Sequence, residues 1–211
     1  MRNMNLLFKR VMDFVCSLIG LIIISPLLLF IAISIKLTSD GPVFFKQKRL
    51  GKNGEIFKII KFRTMIVNAE KLGTGIFVNA DTDNRITKIG KFLRATSLDE
   101  LPQLWNVCKG DMSLVGPRPP LPEHPYKYED YSEFQKIRFN VKPGITGLSQ
   151  VSVRNSVPWD GRILYDVEYV NKFSVWLDIK IILKTLKKLF KRESIYTDNM
   201  NGKDPKSSDS N

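Results

Sequence analysis

Residues 14–35 read FVCSLIGLIIISPLLLFIAISI, and this stretch decides how the rest of the chain is placed. Its 22 residues carry no charge, and about 20 apolar residues are enough to cross a bilayer as one helix. Ser25 and Pro26 interrupt the run near its middle, and a proline removes a backbone donor and kinks a helix. The two arms, about 18 and 14 Å long as helix, each suit one leaflet rather than two.

Basic residues flank the apolar run on both sides. Three precede it and five follow it: Arg2, Lys9, Arg10, Lys36, Lys46, Lys48, Arg49 and Lys52. Since basic flanks are retained on the cytoplasmic side, a straight span would have to export the more basic end. We therefore predict a re-entrant helix, broken at Ser25 and Pro26, that enters and leaves the same leaflet. A straight single anchor and a signal peptide cleaved near residues 32–34 are the alternatives.

Composition limits the chemistry and the partners. The chain has 33 Lys and Arg against 21 Asp and Glu, a formal net charge of +12, which favours anionic lipid, nucleotide or nucleic acid as partners. Cys16 and Cys108 are too few for a disulfide framework. His124 is the only histidine, which nearly excludes a zinc site built from several His and Cys. We expect the chemistry to rest on carboxylates and cations.

The remaining sequence predicts an α+β fold that is mostly helical, with a small β-hairpin. Residues 43–45 and 56–60 read as two short strands around the turn 51–54. Residues 116–125 are rich in proline and must be irregular, and residues 143–147 read as another forced turn.

Three segments follow from this organisation. Residues 1–40 form the re-entrant membrane helix, residues 41–192 a cytosolic, membrane-associated catalytic domain, and residues 193–211 a polar tail that we expect to be disordered. Residues 175–190 are the clearest helix of the domain, with apolar and lysine side chains on different sides. Such a helix either lies on an anionic membrane surface or packs on the core with a solvated basic face.

The carboxylates of Asp99 and Glu100 are the main candidates for chemistry. Ser97 lies three residues before Glu100, so one interpretation is a capping box that merely opens a helix over 97–107. The other is functional, because a helix start offers N–H groups to phosphate and Arg94 is close in sequence. Carboxylates beside phosphate-binding cations suit Mg²⁺-assisted attack on a pyrophosphate, and a carboxylate can itself be the nucleophile.

Further candidate residues carry weaker signals. Arg118 lies between prolines, which fix the backbone and reduce the entropy lost when its guanidinium binds phosphate. Lys61 and Arg63 place two cations around one phenylalanine. Asp81 and Asp83 form an Asp-x-Asp triplet that could hold the metal of a nucleotide sugar in a conventional glycosyltransferase, although a polar loop is the simpler interpretation.

Four ordered motifs together resemble the bacterial sugar transferase family. They are KFRTM at 61–65, TSLDELPQLWNV at 96–107, KGDMSLVGPRP at 109–119 and KPGITG at 142–147. This family comprises the monotopic phosphoglycosyl transferases that begin lipid-linked glycan assembly. The chain looks most similar to the small members that consist of little more than the catalytic core, including the one that primes bacterial protein N-glycosylation.

The resemblance implies roles for individual residues. It makes Asp99 the nucleophile and Glu100 a Mg²⁺ ligand, and it places the break of the re-entrant helix at Ser25 and Pro26. It also implies phosphate-handling roles for four cations around the pair: Lys61, Arg63, Arg94 and Arg118.

One stretch departs from the family pattern. Where relatives often read GWAQVNGR, residues 147–154 read GLSQVSVR. This departure leaves Gln150 and Arg154 as candidate substrate contacts without an assigned role, and it leaves the sugar specificity open.

The implied activity is transfer of a sugar-1-phosphate from a UDP-sugar to undecaprenyl phosphate, a polyprenyl phosphate, with release of UMP. The expected path runs through a covalent aspartyl phosphosugar, with Mg²⁺ as cofactor, on the cytoplasmic face of the bacterial inner membrane. Its product would enter capsule, exopolysaccharide, O-antigen or glycoprotein assembly.

Two other functions compete with this one. A conventional metal-dependent glycosyltransferase would use Asp81 and Asp83 and release UDP. A membrane-tethered basic module could bind nucleic acid, but no aromatic residues interleave with a basic face, so we expect no nucleic-acid partner. Whether the chain forms a homodimer is left open.

Overall fold

The computed structural model describes residues 2–72, 83–153 and 156–190. Within these ranges the fold is mostly helical, with two small sheets and one long apolar helix at its N-terminal end. The α-helices are α1 Arg2–Thr38, α2 Lys88–Ala95, α3 Gln103–Lys109, α4 Glu133–Lys136, α5 Leu148–Ser152, α6 Trp159–Asn171 and α7 Val175–Phe190. The strands are β1 Phe44–Leu50, β2 Ile56–Phe62, β3 Ser113–Val115 and β4 Gly144–Thr146.

The β1–β2 hairpin is present as the sequence predicts. The strands are antiparallel and pair from Phe44 opposite Phe62 to Leu50 opposite Ile56. Asn53 closes the turn with φ of 55°, a left-handed conformation that asparagine tolerates better than most residues. The hairpin fixes the position of Lys61 near the end of β2.

The prediction of a forced turn over residues 143–147 is wrong, because its central residues, Gly144–Thr146, form strand β4. This strand pairs in parallel with β3, and Gly116 N–H donates to the carbonyl of Thr146 over 2.9 Å. A Cβ atom on Gly144 would lie 2.1 Å from the backbone nitrogen of Gly116. The glycines therefore serve the close approach of two backbones rather than the reversal of one.

Helix α1 is long and apolar enough to cross a membrane over Leu6–Thr38, and it contains Pro26. Because Pro26 has no N–H, the carbonyl of Ile22, four residues earlier, loses its helical donor. The hydroxyl of Ser25 donates to this carbonyl over 2.8 Å. The Ser-Pro pair thus carries its own replacement hydrogen bond.

Both halves of α1 contact the rest of the protein. In the first half, Lys9 donates to Oδ2 of Asp178 on α7 over 2.5 Å. In the second half, Ile35 is fully buried in a cluster with Phe62 and Leu93. Between these contacts α1 exposes large apolar side chains: Ile19, Ile22, Ile23, Leu29 and Phe30.

The predicted capping box at Ser97 is wrong. Ser97 has a φ of 57° and its side chain makes no capping hydrogen bond. A single 3₁₀ turn, Leu98–Glu100, follows it, and Pro102 has no N–H with which to continue that turn as an α-helix. Helix α3 begins only at Gln103 and ends at Lys109, and the next residue, Gly110, has a φ of 99°. The two carboxylates therefore lie on an isolated turn, not at the start of a long helix.

Helix α7 packs on the core, as one of the two predicted arrangements requires, and it also leaves apolar side chains exposed. Its Ile181 is buried in a core cluster with Val115, Val151, Tyr169 and Val170. Four of its other apolar side chains form an exposed strip: Trp176, Leu183, Leu186 and Leu189. One face of the helix thus packs on the core, and another leaves apolar surface uncovered.

Candidate active site

One cavity of about 1050 Å³ brings together residues from β1, β2, α2, α6 and the turns between them. Asp99 and Glu100 line it, and so do all four cations that the sequence analysis singled out: Lys61, Arg63, Arg94 and Arg118. Residues separated by more than 50 positions in sequence thus share one concave site, the usual setting for binding and chemistry.

Glu100 is bound by two cations. Lys61 donates to its Oε1 over 2.5 Å, and Arg118 donates to the same oxygen over 3.3 Å. Burial by itself would raise the pKa of Glu100, but the charges and hydrogen bonds of Lys61 and Arg118 lower it to about 2. Glu100 is therefore a permanently charged carboxylate at neutral pH.

Asp99 differs from its neighbour. Within the part of the chain that the structure describes, its carboxylate makes no hydrogen bond and no ion pair. Its pKa is raised to about 6. Burial is the largest cause and the charge of Glu100 adds to it, while the charges of Lys61 and Arg94 oppose the rise. Two adjacent carboxylates thus have separated pKa values, which is the pattern expected when each has a distinct chemical role.

Arg94 and Arg63 line the same cavity but are held differently. The Nε of Arg94 donates to the hydroxyl of Thr64 over 2.9 Å. Arg63 is 5% exposed, and its guanidinium donates to the carbonyls of Ser39 and Asp40 over 2.7 and 2.6 Å. Arg63 therefore ties the end of α1 to the end of β2. The terminal nitrogens of Arg94 make no hydrogen bond within the described ranges.

A proline-rich strap, residues 117–120, carries Arg118 into the site. Each of its four carbonyls accepts a hydrogen bond. The donors are Gly144 N–H for Pro117, Arg138 Nη2 for Arg118, Arg49 Nη1 for Pro119 and Leu50 N–H for Pro120, over 3.0, 2.8, 3.1 and 3.0 Å. Because every carbonyl is held and proline restricts the backbone, the strap presents Arg118 from a fixed position.

A buried network supports this strap from behind. Arg138 is 2% exposed, and its Nη2 donates to Oδ2 of Asp166 over 2.6 Å as well as to the carbonyl of Arg118. Ser149 donates to the other carboxylate oxygen of Asp166 over 2.8 Å. The ring of Trp159 lies 4.9 Å from the guanidinium of Arg138. Removal of Asp166 would leave a buried guanidinium without its counter-charge.

Sequence reasoning missed three arginines of the cavity: Arg49, Arg138 and Arg162. Arg49 was counted only as a basic flank of the membrane segment, and the other two lie in no motif. One signal was available for Arg162, because Asp166 follows it at the (i, i+4) spacing of a helix face. Nothing in the sequence shows that both residues face the cavity.

The remaining predicted residues are only partly in the site. Gln150 lines the cavity, its Nε2 donates to the carbonyl of Ile145 over 3.0 Å, and its Oε1 is buried without a partner in the described ranges. Arg154 and Asp81 lie outside the described residues. Asp83 lies within them, but its carboxylate binds the guanidinium of Arg85 over 2.6 and 2.8 Å, and it does not line the cavity.

The carboxylates can be tested against the needs of a Mg²⁺ ion. In the described ranges no three His, Cys, Asp or Glu residues are grouped as a metal centre. Mg²⁺ does not require one, because it commonly binds through one or two carboxylates plus substrate phosphates. Glu100 uses Oε1 for its two cations, and Asp99 adds a second carboxylate. The pair fits a Mg²⁺ ion that arrives with a nucleotide diphosphate.

The chain thus joins a cavity that contains two carboxylates and several cations, on a small α+β body, to a long apolar helix. The sequence comparison places it further: the model of the family described as bacterial sugar transferase matches residues 4–192. The chain belongs to this family, as its four motifs predict.

Curated relatives agree with this membership. The chain is 48% identical over 193 residues to the galactosyl transferase CpsE of Streptococcus agalactiae. This alignment covers 87% of this chain and 42% of the relative. It is 44% identical to a UDP-glucose:undecaprenyl-phosphate glucose-1-phosphate transferase of Klebsiella pneumoniae, covering 93% and 43%. A Caulobacter vibrioides enzyme of the same name is 40% identical, covering 89% and 72%. The chain thus spans less than half the length of the first two.

Proposed function

We propose that the protein transfers a sugar-1-phosphate from a UDP-sugar to undecaprenyl phosphate and releases UMP. The observation that carries this proposal is the contrast between Asp99 and Glu100 within one cationic cavity. Glu100 is neutralised by Lys61 and Arg118, whereas Asp99 keeps an uncommitted carboxylate. Relatives that share more than 40% identity are named as transferases of this type.

The first half of the reaction uses Asp99 as the nucleophile. A carboxylate oxygen of Asp99 attacks the β-phosphorus of the UDP-sugar and forms a new P–O bond. The bond from that phosphorus to the bridging oxygen breaks, and UMP leaves with its electron pair. Lys61 and Arg94 lower the pKa of Asp99, so they favour the ionised form that attacks, and they would also attract the incoming phosphates.

The second half regenerates the carboxylate. A phosphate oxygen of undecaprenyl phosphate attacks the same phosphorus, and the bond to Asp99 breaks so that its carboxylate leaves. The product is an undecaprenyl diphosphate sugar. Since one product leaves before the second substrate reacts, this scheme predicts ping-pong kinetics.

We further propose that Glu100 holds Mg²⁺. When bound, the ion would neutralise charge on the pyrophosphate and act as a Lewis acid. Glu100 is suited to this role because its low pKa keeps it ionised. Lys61 orients the carboxylate through Oε1 and leaves Oε2 for another partner.

We propose that α1 is re-entrant and that the site faces the cytoplasm at the inner membrane. Support comes from the contacts of its two halves with one catalytic body, through Lys9 on one side and Ile35 on the other. The exposed strip of α7 would add a second, surface contact with lipid. This arrangement would place Asp99 at the level of the membrane surface where the phosphate of the lipid lies.

The nucleotide product tests the proposal. The purified chain would be incubated with a panel of UDP-sugars, Mg²⁺ and undecaprenyl phosphate, and the released nucleotide identified by chromatography. We expect UMP, its loss in Asp99→Asn, and its persistence in Asp83→Asn. Release of UDP that survives Asp99→Asn would instead indicate a conventional glycosyltransferase.

A further inference from the structure

Three arginines that line the cavity come from three different parts of the chain. Arg49 belongs to β1, Arg118 to the strap and Arg162 to α6. The reaction described above gives a function to Arg118 alone. Arg49 and Arg162 are in no motif, yet the fold brings both to the cavity that holds the acidic pair.

The strap carries Arg118, accepts a hydrogen bond from Arg49, and is supported by a network that includes a residue of the helix of Arg162. Arg49 donates to the carbonyl of Pro119, the residue next to Arg118, over 3.1 Å. Arg138 donates to the carbonyl of Arg118 and is itself held by Asp166. Asp166 lies one helical turn after Arg162 on α6. Arg49 is therefore bound to the strap directly, and α6 carries Arg162 next to the network that holds the strap.

Positive charge exceeds negative charge at this place. In residues 2–72, 83–153 and 156–190, Glu100 is the only carboxylate that accepts a hydrogen bond from any of the three arginines, and it also serves Lys61. The Nε of Arg49 is buried without a partner in those ranges. Arg162 donates by Nε to the carbonyl of Val157 over 3.1 Å, which leaves its two terminal nitrogens.

The electrostatics of the arginines agree with this excess. Burial and, after it, the charge of Arg118 lower the pKa of Arg49 to about 10, against an opposing effect of Glu100. Burial likewise lowers the pKa of Arg162, with Arg118 as the next cause. Cations that are desolvated and repel one another gain free energy when an anion binds between them.

We propose that Arg49, Arg118 and Arg162 form a phosphate-binding subsite, beside the position where Asp99 attacks. Guanidinium groups match phosphate oxygens through paired, charge-assisted hydrogen bonds. The proposal rests on the proposed function, which supplies two phosphates that could bind there. One is the phosphate that leaves with the uridine as UMP, and the other is the phosphate of the lipid acceptor.

Arg162→Gln is the variant that tests the subsite, since Arg162 makes one backbone contact and the change preserves a polar side chain. Arg162→Lys keeps the positive charge but loses the paired N–H donors of the guanidinium group. Lys172→Gln is the matched control, because Lys172 directly follows the same helix, pairs with Glu168 and does not line the cavity. The full chain would be assayed in nanodiscs for inhibition by UMP, inhibition by uridine, and KM for undecaprenyl phosphate.

We expect Arg162→Gln to raise the UMP inhibition constant by roughly 10- to 100-fold and to leave that of uridine unchanged, because only UMP carries the phosphate. Arg162→Lys should recover part of the loss. If the subsite holds the acceptor instead, the KM for undecaprenyl phosphate rises by a similar factor while UMP inhibition stays constant. Either result supports a phosphate subsite and identifies its source.

Arg162→Gln that binds UMP and undecaprenyl phosphate within about twofold of the unaltered chain would overturn the proposal. A uniform fall in kcat with both affinities retained would do the same, since that pattern indicates a structural effect. Arg49→Lys tests the same subsite with a residue of strand β1, through the same inhibition and KM measurements. Failure of the proposed function is recognised separately, because the unaltered chain would then release no UMP.

Discussion

The ammonium group of Lys61 lies 2.5 Å from Oε1 of Glu100, so one member of the acidic pair is neutralised and its neighbour Asp99 is not. This relationship separates the two carboxylates: the pKa of Glu100 is lowered to about 2 and that of Asp99 is raised to about 6. Glu100 is thus fully ionised at neutral pH, whereas the neighbouring Asp99 has a pKa close to neutral pH.

Lys61→Met should raise the pKa of both carboxylates. Without Lys61, Glu100 keeps only the longer contact with Arg118, and the charge that favours ionised Asp99 is lost. We expect UMP release to fall by at least about 100-fold, as for other lost electrostatic contacts in active sites. Lys58→Met is the matched control, since Lys58 is exposed on the same strand. Equal rates for the two variants would contradict this role.

Asp99→Asn should make the folded protein more stable at neutral pH. The pKa of Asp99 is higher in the folded chain, about 6, than its usual value of 3.8. Above pH 6 ionised Asp99 therefore opposes folding, and below its unfolded pKa this cost is absent. We expect the variant to gain about 1–2 kcal/mol at pH 7.5 in EDTA, less than the full shift because Asp99 is partly exposed.

Thermal unfolding at several pH values checks this sign. The melting temperature of Asp99→Asn should exceed that of the unaltered chain by roughly 2–6 °C at pH 7.5. The difference should shrink through pH 6 and vanish below about pH 4, where the carboxyl is neutral in both states. A difference that grows as the pH falls would contradict the raised pKa.

Asp166→Asn should weaken the strap that presents Arg118. The variant leaves Arg138 buried without a counter-charge, which costs about 3–5 kcal/mol when a buried ion pair loses one partner. Ser149→Ala removes only one hydrogen bond to Asp166 and should cost about 1 kcal/mol. Chemical unfolding would measure both. Asp160→Asn, at an exposed site on the same helix, should change little.

Lys9→Met should loosen the contact between α1 and α7. Lys9 and Asp178 are both almost fully buried, and Tyr169 donates to the other oxygen of Asp178 over 2.7 Å. Removing Lys9 leaves an unpaired buried carboxylate, so we expect a loss of about 3–5 kcal/mol. The double variant Lys9→Met with Asp178→Asn should recover part of it. Lys180→Met, exposed on α7, serves as the control in thermal unfolding.

The topology of α1 can be tested by labelling. Single cysteines would be placed at Asn5 and Thr38 in a chain whose Cys16 and Cys108 are replaced by alanine. In intact spheroplasts a membrane-impermeant maleimide should label neither site, and after permeabilisation it should label both, because a re-entrant helix keeps its ends on one side. Labelling of one end from outside would indicate a straight span.

Much of the fold was accessible from local sequence rules. The hairpin followed from two apolar strands around a Gly-rich turn, and α7 begins and ends where its periodicity predicts. Ser97 misled, because a capping-box spacing says nothing about φ, and the residue adopts a left-handed conformation instead. Residues 143–147 misled because their glycines serve a close contact with Gly116 that only the folded chain reveals.

The site was predictable only where residues lie in contiguous motifs. Asp99, Glu100 and Arg118 come from stretches of unusual local chemistry, and the structure brings them into one cavity. Arg49 and Arg162 are ordinary basic residues in sequence and acquire their position through contacts with the strap. Arg63 was grouped with the phosphate-handling cations from its motif, whereas its hydrogen bonds run to the end of α1; whether it also handles phosphate stays a prediction.

The most direct test of the account is a single-turnover experiment without lipid acceptor. The purified chain would be mixed with Mg²⁺ and a UDP-sugar, then followed by UMP assay and by mass spectrometry of the peptide that contains Asp99. The account predicts up to one UMP per protein, a sugar-phosphate adduct on Asp99, and loss of the adduct when undecaprenyl phosphate is added. UMP that forms only in the presence of undecaprenyl phosphate, with Asp99 unmodified throughout, would contradict it.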